Sequence, residues 1–214
     1  MNGGLRAIIF RKSDDPDLYW AILRFRKALF VDHLGWVLNV SRGVETDQFD
    51  HEQATYCALM HSGQVLGCFR AIPCTKPYLA RDVFSHLAPG AHFPTDSESW
   101  EISRFGVSPT SPVGGAHLYA AMMAFAEMRD IRVLPALVEL HHERFLNRLG
   151  IRTRRYGRAV TIGETAHGRP IRCVVGEIPF REQRSILLDT FSDQIAQLEI
   201  IDEVANVGLD RIPA

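Results

Sequence analysis

Cysteine is scarce in this chain and follows no pattern that would let cysteines act together. Four occur among 214 residues, at Cys57, Cys68, Cys74 and Cys173, and no two form a C-x-x-C pair. Neither a disulfide framework nor a zinc site is indicated, so reduced cysteines in a cytoplasmic protein are the simpler interpretation. The nine histidines also lack H-x3-H or H-E-x-x-H spacing, and no metal is predicted.

Long apolar runs and charge of one sign are missing as well. No segment approaches the roughly 18 apolar residues that a membrane-spanning helix needs, so no membrane association is expected. The formal net charge of -1 argues against a nucleic-acid partner held by bulk charge. It leaves room for a local basic patch that contacts an acidic protein.

The remaining composition is that of a globular α/β protein with one sizeable core. Hydrophobic residues make up 46% of the chain and charged residues 23%. Asp15-Pro16 predicts a helix start, and a second helix over 116–130 and a third ending at Gly150 alternate with strands. The predicted strands cover residues 5–10, 55–60, 65–72, 100–107, 133–140, 158–163 and 172–178. This succession predicts a mixed central sheet with helices on both faces.

The last part of the chain has a helical pattern of its own. Apolar residues recur at helical spacing within 181–207, which predicts a mostly helical segment there. We therefore expect one domain over residues 1–180 and a C-terminal helical extension over 181–214 that packs on it. The pattern leaves open whether the extension covers the sheet or forms a dimer contact.

Acids, arginines and aromatics cluster in the first half of the chain. Arg26, Phe30 and Trp36 precede the stretch Glu45-Thr46-Asp47-Gln48-Phe49-Asp50, which lies in a segment without periodicity that resembles a mobile lid. Such residues suit a ligand with ammonium, carboxylate and sulfonium groups, because each of these groups needs a charge-assisted hydrogen bond or an aromatic face. S-adenosylmethionine carries all three groups.

Two predicted strands add further charged residues to this set. A hairpin brings Arg70 back toward Asp50. In the strand over 100–107, period-two alternation predicts Glu101, Ser103 and Phe105 on one face and Arg104 on the other. Taken singly, each of these charged residues would more often belong to a surface ion pair that contributes little.

The order of these residues resembles the acyl-homoserine-lactone synthases, the autoinducer synthase family. The shared pattern is Arg-x3-Phe, Trp, Glu-x-Asp-x-aromatic-Asp, Arg and Glu-x-Ser-Arg, and it covers about residues 26–150. The resemblance implies a single-domain fold like that of GCN5-related N-acyltransferases, with a splayed pair of central strands. It implies acyl transfer from a thioester to the amine of S-adenosylmethionine, followed by lactonisation and release of methylthioadenosine. S-adenosylmethionine is then a substrate, and no cofactor is expected.

The resemblance also implies roles for the individual residues. Because the amine must be neutral to attack, a carboxylate base is useful, and Glu101 on a rigid strand is the best candidate. Ser103 could orient the thioester carbonyl, but no histidine is placed to make it a nucleophile. The predicted catalytic residues are Glu101, Arg104 and Ser103, and those predicted to bind S-adenosylmethionine or order the lid are Arg26, Phe30, Trp36, Asp47, Asp50, Arg70 and Phe105.

The identity of the acyl donor depends on weaker signals. Residues 112–116 only faintly match the glycine-rich loop that holds a pyrophosphate at a helix N-terminus. An acyl-carrier protein bound by the basic residues Arg152, Arg154, Arg155 and Arg158 is therefore preferred as donor, with acyl-CoA left open. That basic cluster could also be an ordinary solvated face.

The acyl chain is expected to contact the helix, strand and helix between residues 116 and 150. The residues predicted to line its pocket are Leu118, Met122, Val138, Leu140 and Phe145, although core packing explains them equally well. Val138 occupies the position where the resemblance places a threonine in producers of 3-oxoacyl lactones. An unsubstituted acyl chain is therefore expected.

Two functions of other classes stay open at this level. The first is an acyltransferase that acts on another amine, and the second is a non-catalytic sensor of S-adenosylmethionine or of an acyl carrier. The complete set of acids and arginines argues against the sensor. Release of methylthioadenosine separates the lactone synthase from both.

Overall fold

The computed structural model describes residues 4–206, with helices and strands alternating along most of the chain. The strands are β1 (Leu5–Phe10), β2 (Val40–Ser41), β3 (Val44–Glu45), β4 (Thr55–His61), β5 (Gln64–Pro73), β6 (Trp100–Val107), β7 (Leu134–Glu139), β8 (Arg154–Arg155), β9 (Val160–Glu164), β10 (Pro170–Ile178) and β11 (Leu198–Asp202). The α-helices are α1 (Pro16–Arg26), α2 (Leu79–Asp82), α3 (Gly115–Met128), α4 (Leu140–Arg148), α5 (Arg184–Thr190), α6 (Ser192–Ala196) and α7 (Glu203–Asn206). A π-helix over Lys27–His33 continues α1, and short 3-10 turns cover Ser85–Leu87 and Arg181–Gln183.

Two sheets form the framework of the molecule. The first has the order β11-β1-β4-β5-β6, and the second contains β7-β10-β8 with β9 also paired to β10. The sheets approach each other through one parallel bridge between Ser99 and Val133, just before β6 and β7 begin. Within the described residues β6 and β7 then diverge without forming a ladder, which leaves a wedge-shaped opening between them.

The apolar cores lie on both faces of the first sheet. α3 covers one face, and every residue of it from Leu118 to Ala126 is buried, as expected for a helix that is apolar on all sides. α1 covers the other face. It begins where the sequence predicts, because the Asp15 carboxylate accepts a hydrogen bond from the Leu18 N–H at 2.9 Å and Pro16 occupies the first helical turn.

The helical prediction for residues 181–207 is wrong over one segment. Leu198–Asp202, between the short helices α6 and α7, is instead a strand that pairs in parallel with β1. The free edge of β1 offers hydrogen bonds to the backbone, and the adjacent Ile200 and Ile201 favour an extended chain. Val207 lies outside the described residues, and the boundary after residue 180 stays a prediction.

No helix of the described region has both the length and the apolar character needed to cross a bilayer.

Candidate active site

A cavity of about 570 Å³ fills the wedge between β6 and β7. α3 and α4 supply part of its apolar wall, including Met122 and Leu146, and β7 adds Leu134. The segment from Trp36 to Gln48 borders it as well, together with the polar side chains of Ser103 and Arg104. The lining is therefore mainly apolar, with a charged wall at Asp47 and Arg104 and further charged residues elsewhere, among them Glu143 and Arg155.

A cluster of six buried or partly buried charged side chains forms and supports that wall. Its positive members balance its negative members in formal charge, and each lies within salt-bridge distance of two opposite charges. The cluster consists of Arg26, Arg70, Arg104, Glu45, Asp47 and Asp50. We refer to these six residues as the charge network.

Arg26 anchors two acids of the segment that borders the cavity. Its Nε donates to Glu45 at 2.6 Å, and its Nη1 donates to Asp50 at 2.7 Å. The side chain is fully buried and does not reach the cavity. Of the two partners predicted for Arg26, the substrate carboxylate or the lid acids, the structure shows the lid acids.

Arg70 joins β5 to the acidic segment and to β6. Its Nη1 donates to Asp47 at 2.5 Å and to Asp50 at 3.0 Å, while its Nε donates to the Ser103 hydroxyl at 3.1 Å. Burial alone would raise the pKa of Asp50, but the charges of Arg26 and Arg70 lower it well below its usual range. Both aspartates therefore stay ionised, since Asp47 is shifted in the same direction by Arg70 and Arg104 despite its own burial.

The predicted orientation of Arg104 is wrong. Cys68 pairs with Gly106 and Arg70 pairs with Ser103, so two residues of β6 lie opposite the single residue Phe69 of β5. This irregularity is a β-bulge, and Arg104 adopts a positive φ of 52° within it. The bulge breaks the period-two alternation and lets Arg104 join Ser103 in the same site.

Arg104 is the member of the charge network that pairs with acids at the cavity wall. Its Nη2 lies 2.9 Å from Glu45 and 2.7 Å from Asp47. Glu45 belongs to the motif read from the sequence but received no role there. It is fully buried and connects Arg26 to Arg104. The Glu-x-Asp spacing of the motif could have indicated that Glu45 belongs to the site.

Glu101 lies behind the cavity wall. Its carboxylate accepts hydrogen bonds from the backbone N–H groups of Leu79 at 3.1 Å and Ala80 at 2.6 Å, at the start of α2. Burial raises the pKa of Glu101 to about 7, although the N–H of Ala80 acts in the opposite direction. Leu79 lines the cavity and Glu101 does not. The predicted role of Glu101 as the base therefore stays a prediction.

Two aromatic residues border the cavity beside the charge network. The Phe30 and Trp36 rings stack with centroids 5.2 Å apart and an angle of 22°, and both line the cavity along with Phe105. The indole Nε1 of Trp36 is buried and has no hydrogen-bond acceptor within residues 4–206.

Two of the five residues predicted to contact the acyl chain line this cavity. Met122 and Val138 line the cavity, whereas Leu118, Leu140 and Phe145 are not among its lining residues. Leu118 is fully buried in the core of the first sheet. Tyr119 and His142 also line the cavity, although the sequence pattern did not single them out, and a hydrogen bond of 2.8 Å joins their side chains. Helical spacing could have found them, because Tyr119 lies three residues before Met122 and His142 lies four residues before Leu146.

The predicted basic cluster is partly neutralised by acids. Arg154 pairs with Glu177 and Glu182, and Arg155 pairs with Glu143. Arg152 and Arg158 are exposed, and neither forms a salt bridge in the described part of the chain. Only part of the cluster therefore presents unpaired charge to a partner.

The described residues contain no group of three or more His, Cys, Asp or Glu side chains arranged to hold a metal ion. All four cysteines are free and buried. The charge network itself pairs its carboxylates with arginines, which occupy the oxygens that a cation would need.

Comparisons with known proteins agree with this geometry. The model of the family described as autoinducer synthase matches residues 14–169. An acyl-homoserine-lactone synthase of Acinetobacter nosocomialis is 34% identical over 72% of this chain and 90% of its own length. A second, from Ralstonia solanacearum, is 35% identical over 71% of this chain and 78% of its own.

Solved structures confirm the predicted fold class, a GCN5-related N-acyltransferase-like fold with a mixed central sheet. The CoA-dependent acyl-homoserine lactone synthase BjaI, solved with MTA, superimposes with a TM-score of 0.76 at 24% identity and covers 96% of this chain and 100% of its own. TofI in a ternary complex with an inhibitor and MTA gives a TM-score of 0.69 at 27% identity over 90% of this chain and 99% of its own.

Proposed function

The chain belongs to the autoinducer synthase family and is an acyltransferase that makes acyl-homoserine lactones, and we propose that the cavity between β6 and β7 is its active site. The reaction joins an acyl group from a thioester to the amine of S-adenosylmethionine, closes the lactone and releases methylthioadenosine. The observation that carries the proposal is a balanced charge network along one wall of a mainly apolar cavity.

The charged wall suits the amino-acid end of S-adenosylmethionine. Asp47 and Arg104 line the cavity, whereas Arg26, Asp50 and Arg70 lie behind them. We assign the substrate ammonium to Asp47 and the substrate carboxylate to Arg104, because opposite charges then meet in a partly dry site. The residues behind hold these two in place.

The aromatic wall suits the rest of that substrate. Phe30 and Trp36 offer stacked rings next to the charge network, where a sulfonium and an adenosyl group can pack on an aromatic face. Phe105 borders the cavity from the bulge.

Ser103 suits the thioester carbonyl. Its hydroxyl oxygen accepts a hydrogen bond from Arg70, so its own hydrogen is free to point into the cavity. A donor of this kind stabilises the negative charge that develops on the carbonyl oxygen during amine attack. The side chain would act as a donor and never as a nucleophile.

Glu101 is proposed as the base that removes the amine proton through an intervening water. A pKa of about 7 suits proton transfer near neutral pH. Leu79 lies between the Glu101 carboxylate and the cavity, so the carboxylate cannot contact the amine directly in this arrangement.

For the acyl donor we propose an acyl-carrier protein, bound at the exposed Arg152 and Arg158. The positive charge of these two arginines is complementary to an acidic helix of a carrier protein, which supports this donor. Acyl-CoA is the alternative donor, because the similar structure of BjaI is that of a CoA-dependent synthase. Turnover with both donors, in the native chain and in Arg152→Glu, decides between them. A loss confined to the carrier-protein reaction supports the proposal, and equal losses with both donors contradict it.

The site assignment is tested by supplying S-adenosylmethionine and an acyl thioester and measuring methylthioadenosine release, with mass spectrometry of the lactone. Asp47→Asn removes one charge that faces the ammonium, and should lower kcat/KM by about tenfold or more, as for a lost charged hydrogen bond. The matched control is Asp32→Asn, which alters an exposed pair with Lys27. If both variants keep native kcat/KM, the assignment of Asp47 is wrong.

A further inference from the structure

Tyr119 and His142 form a polar pair in the apolar part of the cavity wall. The Tyr119 hydroxyl and the His142 Nδ1 are 2.8 Å apart, and both residues line the cavity beside Met122 and Leu146. We propose that this pair binds an oxygen substituent, a keto or hydroxyl group, on the acyl chain. The inference rests on the proposed active site and adds the class of acyl chain that it accepts.

Counting hydrogens shows that the pair has bonding capacity left. Burial, with the neighbouring His141, lowers the pKa of His142 to about 4, so the ring is neutral at neutral pH and carries one N–H. Tyr119 carries one O–H. Their mutual bond uses one of these two hydrogens, whichever tautomer the ring adopts.

One donor and one acceptor therefore remain. No other hydrogen bond of either side chain is present within residues 4–206. Among the described residues the His142 Nε2 has no partner, and it is not one of the fully buried unpaired atoms. It is therefore accessible from open space. An oxygen substituent of the ligand can accept the remaining hydrogen, and a hydroxyl can in addition donate to the remaining acceptor.

Aromatic packing holds the pair in place. The Tyr119 ring stacks on Phe145 at 5.1 Å and on Phe191 at 5.9 Å. The edge of His142 meets the Phe105 ring at 5.6 Å and 88°. Phe105 belongs to the bulge that also positions Ser103, so the pair lies next to the proposed site of acyl transfer.

This arrangement makes an unsubstituted chain the poorer ligand. A methylene chain packed against the pair would cover a donor and an acceptor without bonding them, and a buried unpaired group is costly. Val138, from which an unsubstituted chain was expected, offers no polar atom. Tyr119 on α3 and His142 on α4 supply the hydrogen-bonding groups that the Val138 side chain on β7 lacks.

The test compares acyl thioesters of matched chain length that are unsubstituted or carry a keto or hydroxyl group at the third carbon or farther along. Methylthioadenosine release gives kcat/KM for each donor, and calorimetric titration of the corresponding lactones gives their affinity without turnover. The native chain should prefer at least one oxygen-bearing chain by about tenfold or more in kcat/KM and in affinity.

The deciding variant is Tyr119→Phe combined with His142→Phe, which keeps both rings and removes every polar atom of the pair. The double variant should prefer the oxygen-bearing chain over the unsubstituted one by no more than about twofold. Each single variant should show a preference between that of the native chain and that of the double variant. Tyr19→Phe, which changes a buried tyrosine of α1 that does not line the cavity, should keep the native preference. Thermal unfolding checks that each variant is folded.

Two results would overturn the inference. In the first, the native chain uses and binds the unsubstituted compounds as well as every substituted one. In the second, the preference persists in the double variant. If no donor releases methylthioadenosine, the site assignment fails instead, and the lactone titrations still decide whether the pair selects an oxygen substituent.

Discussion

Asp50 is the residue on which the charge network depends most. Its carboxylate accepts hydrogen bonds from Arg26 Nη1 at 2.7 Å and Nη2 at 3.0 Å, and from Arg70 Nη1 at 3.0 Å. The Tyr56 hydroxyl at 3.0 Å and the Asp47 N–H at 2.9 Å complete the set. Asp50→Asn keeps the shape but removes the charge that both arginines share.

The structure gives the size of the effect. Arg26 and Arg70 are 0% exposed, so the variant leaves one surplus positive charge out of reach of water. Breaking a buried pair by neutralising one partner costs about 3–5 kcal/mol, whereas an exposed pair contributes at most about 1 kcal/mol. We predict that Asp50→Asn lowers the free energy of unfolding by about 3–5 kcal/mol, and that the exposed Asp32→Asn changes it by less than about 1 kcal/mol.

Urea unfolding measures this difference. The midpoint should fall for Asp50→Asn while the slope stays constant, because the surface exposed on unfolding is unchanged. A loss no larger than that of Asp32→Asn would show that the network contributes no more than surface pairs do, and would refute the reasoning.

The same carboxylate predicts the response to acid. Its folded-state pKa is lowered by the two arginines, so below the ordinary aspartate pKa of about 3.9 the unfolded chain binds a proton that the folded chain does not. Native stability should therefore fall as the pH drops below about 4. Asp50→Asn should show a shallower fall, and an identical acid profile would contradict the assignment.

Three further predictions follow from single contacts. Activity should decline as the pH falls through about 7, where Glu101 takes up a proton, and Glu101→Gln should lose that limb of the pH–rate profile along with most of its rate. Gly106→Ala places a Cβ 2.6 Å from Leu29 Cδ2, and urea unfolding should show a loss of about 1–3 kcal/mol. Gly35→Ala, at φ +70° and 3.2 Å from the His167 ring, should cost about 1 kcal/mol by the same measurement.

Local chemistry made much of the fold readable from the sequence. The strand over Leu5–Phe10 and the hairpin of β4 and β5 follow from short apolar runs with turn residues between them. The start of α1 follows from one capping side chain and one proline. Each of these signals acts within a few residues of its effect, so no knowledge of the tertiary fold was needed.

The parts that could not be read depend on contacts between distant segments. The bulge that turns Arg104 into the site arises from the register of β6 against β5, and its local signal, Gly106 within the strand, does not tell which neighbouring side chain turns inward. The strand β11 depends on the free edge of β1, which lies far away in sequence. The Tyr119–His142 pair exists only because α3 and α4 meet over the cavity.

The proposed roles of Asp47 and Arg104 explain why the substrate must carry both an ammonium and a carboxylate. The two side chains now neutralise each other at 2.7 Å. A ligand with both groups can replace that contact by two new ion pairs and leave no buried charge unmatched. An analogue of S-adenosylmethionine that lacks the carboxylate would occupy Asp47 and leave Arg104 short of one partner, so calorimetry should find it bound at least about tenfold more weakly. Equal affinity of the two compounds would mean that Arg104 meets no carboxylate and serves only to hold Glu45 and Asp47 in place.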